Sequence, residues 1–397
     1  MKKIYDEIHG YIVLNDLEQR IVDTPLFQRL RRIKQTSLAF LVYPGAVHTR
    51  FSHSLGTFHL AMKLGNLFVS KGIITDEELE AIKLAALIHD IGQFPFSHSL
   101  EGFYIDRNLS NEELRNFILT SSTEIKDILS ENGSLYSRIL ELLRPLGSTL
   151  SLIIDSDIDV DRMDYLIRDS RHTGVTLGNI DLDRILDTIS YTNEGILISE
   201  KGLHSIESFY ISRLHMYQAV YYHKTILGYE LMLRRIFKDL IEYCCPEFEQ
   251  PEHLKELIKE DLFSYWDDDW VIGRLYYALM SPDAPDKLKI KIKRFLDRKG
   301  PKVVFNFLSY NDQKPQIDIE EYVNKLEKAG IPENSIYAVE EKIPIINPDK
   351  IYILTKNDEE IPLKQYKFTL LNSIPQSIII KRIYVDPEFE LRAKEVL

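Results

Sequence analysis

Only two cysteines occur in the 397-residue chain, Cys244 and Cys245, and they are neighbours in sequence. Consecutive Cα atoms stand about 3.8 Å apart, below the usual disulfide span, so no disulfide framework is available. Reduced thiols in a cytoplasmic protein are expected. The chain also lacks any run of about 18 apolar residues, and Asp6 and Glu7 interrupt the N-terminus before a signal-peptide core could build. Neither membrane spanning nor secretion is expected. Positive charge is in deficit as well: 49 Lys and Arg against 61 Asp and Glu leave a formal net charge of -12. That is the wrong sign for a broad grip on nucleic-acid backbone, although a local basic pocket for a small anion is compatible with it. What is present, 44% hydrophobic and 28% charged residues, is the composition of an ordinary folded chain of roughly one to three domains.

Helical periodicity dominates residues 16 to about 180. The spacing predicts a helix from Asp76 to His89, with Thr75 as N-cap, Glu78 as its capping-box partner, and Leu79, Ile82 and Ala86 on one stripe; Gly92 lies just past its end. A second helix covers residues 54–70 with His53 at its entry, and a third runs from Asp159 to Ser170. The alternation of DTISYTNEGILIS around Asn193-Glu194-Gly195 predicts a hairpin, and Leu203 to Tyr243 predicts one or two long helices ahead of Pro246. After Lys299-Gly300-Pro301 the pattern changes to short β-branched runs: VVFNF, IPII, IYILT and SIIIKRIYV. The expected fold is therefore mainly α, a helical bundle with a β-hairpin insertion over residues 1–300 and a smaller α+β region over residues 301–397.

Several of these predicted helices bring chemistry-bearing residues to their ends. His53 opens one, His89-Asp90 ends another and Asp161 lies in the third, so two imidazoles and two carboxylates can meet inside a bundle as ligands for a divalent transition metal. A helix-terminal His beside a capping Asp, with unrelated surface acids, is the alternative. His98 and Glu101 stand three apart, so one helical turn lets the carboxylate hold the imidazole while the other ring nitrogen handles a proton; a solvated surface pair fits equally. Asp161, Tyr165 and Asp169 share one helical face beside Arg162, and Arg213, Tyr217 and Tyr221 repeat the spacing. Such a face suits a nucleotide pocket, or simply a core stripe. Asp23 to Arg50 forms a basic island with Arg29, Arg31, Arg32 and Arg50, read either as a phosphate site or as a solvated amphipathic face.

Taken in order, HTRFSHSLG, IHDIGQFPFSHSLE and DVDRMDYLIRDSRHTG resemble the HD-domain deoxynucleoside triphosphate triphosphohydrolases, over roughly Lys2 to Cys245. The resemblance implies an HD-domain helical bundle that hydrolyses a dNTP at its α-phosphorus to deoxynucleoside and triphosphate. It implies one divalent transition metal per subunit (iron, manganese, zinc or similar) on His53, His89, Asp90 and Asp161, with magnesium accompanying the nucleotide. His98 and Glu101 match the catalytic His and its acidic companion of the bacterial dGTP-hydrolysing branch. Arg50, Arg162 and Arg213 fall where the family holds the triphosphate. Gln35, Tyr165, Asp169 and Tyr221 fall around deoxyribose and base, with Gln35 and Asp169 reading the 3′-hydroxyl and Tyr165 crowding the 2′ carbon.

The same resemblance places Lys2, Asp23, Gln28 and Arg31 at an effector pocket for GTP or a dNTP between subunits, with Arg184, His223 and Lys224 as neighbouring contacts; a homotetramer is the expected assembly. Two departures stand out. Gln93 occupies the position of a His in the human-type branch, where the bacterial branch has an amide, and no His occurs between His98 and His172. Two rival readings follow: an HD phosphohydrolase acting on nucleoside monophosphates or cyclic nucleotides, or a nucleotide-sensing oligomer with weak catalysis.

Overall fold

The computed structural model describes residues 1–121, 123–145, 147–310 and 317–397. It begins with an element the periodicity did not announce, an antiparallel hairpin of β1 (Lys2–Asp6) and β2 (Gly10–Leu14). The Asp6 carboxylate accepts from the backbone N–H groups of Ile8 and His9, and Gly10 takes φ 72°, so the turn is an Asx-type reversal closed by glycine.

The helical core follows the predicted periods. α1 (Arg50–Ser70) packs on α2 (Asp76–Ile88) and on α4 (Val160–Thr173), with the short α3 (His98–Ile105) between them in sequence. Thr75 and Glu78 form the expected capping box on α2, and its second half from Ala81 to Ile88 is almost wholly buried, which explains an apolar content wider than one stripe. Asp159 caps α4, and Gly174 closes it in the left-handed region at φ 75°.

Beyond α4 lies the predicted hairpin, β3 (Ile189–Thr192) and β4 (Gly195–Ser199). The long helical stretch resolves into two helices, α5 (Leu203–Met216) and α6 (Lys224–Cys244), joined by a π turn over Tyr217–Tyr221. The later strands are β5 (Lys302–Tyr310), β6 (Ile336–Pro344), β7 (Ile351–Leu354), β8 (Glu360–Pro362) and β9 (Ser377–Val385). They build an antiparallel β5-β9-β6 sheet and extend the earlier hairpin into β3-β4-β7-β8, in which β4 and β7 run parallel. Ile378 and Ile380 of β9 pack with Leu214 and Tyr217, so the C-terminal strands brace the helices that carry the site.

The basic island is a solvated face at Arg31 but not at Arg29. Arg29 is fully buried, donating to the carbonyls of Trp266 at 2.7 Å and Gln93 at 2.7 Å, with its guanidinium 4.3 Å from the Phe263 ring centre. Burial, against the pull of Asp267 and Asp268, pushes its pKa down to about 9. Arg32 pairs with Asp267 and donates to the Ser264 carbonyl, which ties the N-terminal segment to residues 263–268. Arg29→Ala leaves a cavity and two unpaired buried carbonyls, so we expect a loss of about 3 kcal/mol, checked as a lowered midpoint of chemical denaturation. A wild-type midpoint would show that the guanidinium is dispensable to the fold. Among the described residues, no helix is long and apolar enough to cross a membrane.

Candidate active site

The helices deliver their ligating groups to one point. His53 comes from the first turn of α1, His89 is the C-cap of α2 with Asp90 directly after it, and Asp161 stands in the first turn of α4. His53 Nε2 lies 2.8 Å from Asp161 Oδ1 and 4.0 Å from Asp90 Oδ2. His89 Nε2 lies 3.7 Å from Asp161 Oδ1 and 3.6 Å from Asp90 Oδ1. The opposite ring nitrogens are both engaged, His53 Nδ1 with Asp164 Oδ2 at 2.8 Å and His89 Nδ1 with the Ala86 carbonyl at 2.7 Å. Those partners accept hydrogen bonds, so each Nδ1 donates and each Nε2 turns its lone pair toward the centre.

This arrangement fits a metal ion. Both Nε2 atoms are buried without a hydrogen-bond partner, and nitrogen lone pairs facing carboxylate oxygens repel unless a cation sits among them. Burial alone would depress the His53 pKa, yet Asp161 and Asp164 push it up to about 10, a measure of how strongly the spot draws positive charge. His53, His89 and Asp161 offer ligand atoms within 4.8 Å of one another, a nitrogen and oxygen set suited to a divalent transition metal. Asp90 faces the same centre but is shared: Oδ2 accepts from Arg50 at 2.9 Å and Oδ1 from Gln93 at 3.1 Å. Against burial, the Arg50 guanidinium holds the Asp90 carboxyl well below the usual carboxylate range.

A second cluster adjoins the first. Asp169 is held by His48 Nε2 at 2.7 Å and by the Tyr221 hydroxyl at 2.8 Å, and the Tyr165 ring meets Tyr221 edge-on at 5.8 Å between centres. Gln35 joins through its backbone N–H to the His48 carbonyl at 3.0 Å, while its Oε1 is buried with no partner. Tyr221 reaches this place because the π turn shifts the register between α5 and α6, a distortion often kept where a side chain must be re-aimed.

His98 is presented by a strained turn. Phe96 and Ser97 sit at φ 53° and 48°, outside the range that non-glycine residues prefer. Asp268 accepts from the Phe96 N–H at 2.6 Å and Arg50 Nε donates to the Ser97 hydroxyl at 3.1 Å, which offsets the strain. On α3, His98 Nδ1 lies 3.0 Å from Glu101 Oε2, and the other Glu101 oxygen accepts from Asn111 N–H at 3.0 Å. Burial raises the Glu101 pKa, but these contacts hold it below its ordinary value. The His98 side chain is 79% exposed, with Nε2 free to work.

One cavity of about 770 Å³ joins all three parts, with Arg50, His89, Asp161, Gln35, Asp169 and His98 in its wall. Arg162 and Arg213 are not among its lining residues. Arg162 is hydrogen-bonded to Asp159, and Arg213 donates to the Ile345 carbonyl at 2.7 Å and the Pro344 carbonyl at 3.2 Å. At the N-terminus the structure gathers Lys2, Asp23, Gln28 and Arg31. Lys2 pairs with Asp23 at 2.8 Å, Arg31 donates to Gln28 at 2.8 Å, and the Arg31 guanidinium lies over Phe51. Arg184 instead bonds the Lys201 carbonyl, and His223 caps α6 beside Lys224.

Several residues of the site carried no local signal. His48 reaches Asp169 and Asp164 reaches His53 across more than 100 positions, and Glu230 of α6 lines the same cavity with its carboxyl pushed up by burial. The Asx turn at Asp6 followed by Gly10 could have disclosed the first hairpin.

Comparison with known proteins agrees with this geometry. Residues 50–169 match the HD domain, and residues 180–266 match the HD associated region. An uncharacterised protein of Bacillus subtilis, YwfO, is 30% identical over 372 residues, spanning 91% of this chain and 84% of its own. An uncharacterised protein of Methanocaldococcus jannaschii, MJ1154, is 41% identical over 61% of this chain, and the match spans only 51% of that relative. Chicken SAMHD1, a deoxynucleoside triphosphate triphosphohydrolase, is 28% identical over 60% of this chain and 45% of its own. Among solved structures, a hypothetical protein of Aquifex aeolicus superposes with a TM-score of 0.81 at 28% identity, covering 99% of both chains. A phosphohydrolase of Bacteroides thetaiotaomicron does so with 0.78 at 28% identity, over 97% of this chain and 99% of that one.

Proposed function

Because the chain belongs to the HD-domain phosphohydrolase family, we propose that it hydrolyses deoxynucleoside triphosphates to deoxynucleoside and triphosphate. The observation that carries this reading is the continuity of one cavity from His89 and Asp161, beside the buried His53, to Asp169, Tyr221 and the unpartnered Gln35 oxygen. A sugar hydroxyl supplies the donor that the buried Gln35 oxygen lacks, beside Asp169, and the role of Tyr165 in this reading is to crowd a 2′ substituent. A divalent transition metal on His53, His89, Asp90 and Asp161 supplies Lewis acidity toward a phosphate oxygen and a lowered water pKa. Magnesium would travel with the nucleotide.

The chain's own groups do the rest. Arg50 neutralises phosphate charge from the cavity wall, and Arg162 and Arg213 join it by giving up Asp159 and the Pro344 and Ile345 carbonyls. His98 passes a proton to the 5′-oxygen as the bond to phosphorus breaks, with Glu101 holding its other nitrogen. Lys2, Asp23, Gln28 and Arg31 form an effector site for GTP or a dNTP between subunits of a tetramer, with Arg184, His223 and Lys224 as neighbouring contacts. A carboxylate accepts from a guanine edge while Lys and Arg take the phosphates. A boundary near residue 300 and a cytoplasmic location belong to the same proposal.

The test is product analysis of manganese-loaded protein with each dNTP and with GTP as a ribose control, in the presence and absence of GTP as effector. We expect triphosphate and deoxynucleoside, dGTP turned over faster than GTP, and a larger sedimenting species with nucleotide. Inorganic phosphate as product, opening of a cyclic nucleotide, or binding without turnover would each replace the reading.

A further inference from the structure

The turn of the first hairpin reaches into the back of the metal cluster. His9 Nε2 lies 2.7 Å from Asp164 Oδ1, and the other oxygen of that carboxylate faces His53 Nδ1 at 2.8 Å. Arg168 clamps the same carboxylate through Nε at 2.8 Å and Nη2 at 3.0 Å, and its Nη1 reaches Asp6 at 2.8 Å. His53, Asp164 and Arg168 are fully buried, so none of these bonds is shared with bulk water. The packing makes room for them: a Cβ on Gly56 of α1 would come within 1.9 Å of Asp164 Oδ1 and 2.4 Å of Arg168 Nη2.

We infer that Asp164, oriented by His9 and Arg168 and accommodated by Gly56, is the positioning residue that sets the His53 ring for metal, so that the N-terminal hairpin is part of the metal site. The inference rests on the assignment of His53 as a ligand. Its physical basis is general: a ligating imidazole needs its second nitrogen fixed, because the hydrogen bond made there selects the tautomer and the ring angle at the first. The Asp164 carboxylate does this for His53 as the Ala86 carbonyl does for His89, but only Asp164 is itself held from another element. His9 is the sole contributor from outside α1 and α4 to touch that carboxylate among the described hydrogen bonds. The hairpin that carries Lys2 therefore also carries the outer support of His53.

Manganese affinity by competition with a chelating indicator tests this without any turnover assay, alongside circular dichroism to confirm folding. Gly56→Ala and Asp164→Asn are expected to weaken affinity by about 10- to 100-fold, and His9→Ala by about 10-fold. His9→Gln, which keeps a donor toward Asp164, should recover most of that loss, a rescue that a merely structural role would not produce. Tyr5→Ala trims the exposed outer face of the same hairpin and should leave affinity unchanged. Folded His9→Ala and Gly56→Ala proteins with wild-type affinity would overturn the inference while leaving the metal site intact. Wild-type protein that takes up no manganese would overturn the ligand assignment itself.

Discussion

Asp161→Ala is expected to lose bound metal and turnover together, with activity down by about 10³-fold or more. Asp161 is the carboxylate that faces both imidazoles at short range, 2.8 Å from His53 and 3.7 Å from His89. Asp90 does not make up the loss, since its charge is already shared with Arg50 and Gln93, each donating to one of its oxygens. Removing an anionic ligand leaves two neutral nitrogens and one shared carboxylate to hold a dication, and the several kcal/mol that a bound metal contributes at the transition state go with it, each 1.4 kcal/mol being about tenfold in rate. The side chain is 30% exposed on the cavity wall, so the fold should survive the change. Elemental analysis decides the matter: an unchanged metal content in folded Asp161→Ala protein would sink the ligand assignment.

The second large effect concerns the proton. His98→Ala should keep metal and nucleotide binding but lose about 10²-fold or more in turnover, as removal of a general acid does. The structure separates this variant from a folding defect, because His98 is mostly exposed and, among the described residues, its side chain hydrogen-bonds only Glu101. Glu101→Gln should act in the same direction and less, since one acceptor toward His98 remains while the Asn111 N–H still needs the other. Retention of wild-type triphosphate release by His98→Ala would remove this residue from the chemistry and point to another acid in the same cavity, such as Glu230.

Much of the scaffold was legible because it is written in neighbouring residues. The Thr75–Glu78 capping box, the three-residue step from His98 to Glu101 and the two-residue turn at Asn193-Glu194 each close within four positions, where backbone geometry alone decides the outcome. The first hairpin escaped because its strands flank a longer Asx reversal from Asp6 to Gly10 in place of a two-residue turn, and β6 was visible only at its end, as IPII, because its middle is largely exposed.

The amino-acid sequence by itself determined the mainly helical architecture, the absence of a membrane-crossing helix, and the candidates His53, His89, Asp90 and Asp161, because period, capping and motif order are local. Tertiary structure decided what those candidates do. It set Asp161 closer to His53 than Asp90, drew Arg29 into the core, and turned Arg162 and Arg213 toward Asp159 and backbone carbonyls. It also tied His48 to Asp169 and His9 to Asp164. Each of these contacts except Arg162 to Asp159 joins residues many tens of positions apart. Its partner is selected by which helices pack together and by the cost of leaving a buried charge or donor unpaired, and neither quantity exists until the chain has folded.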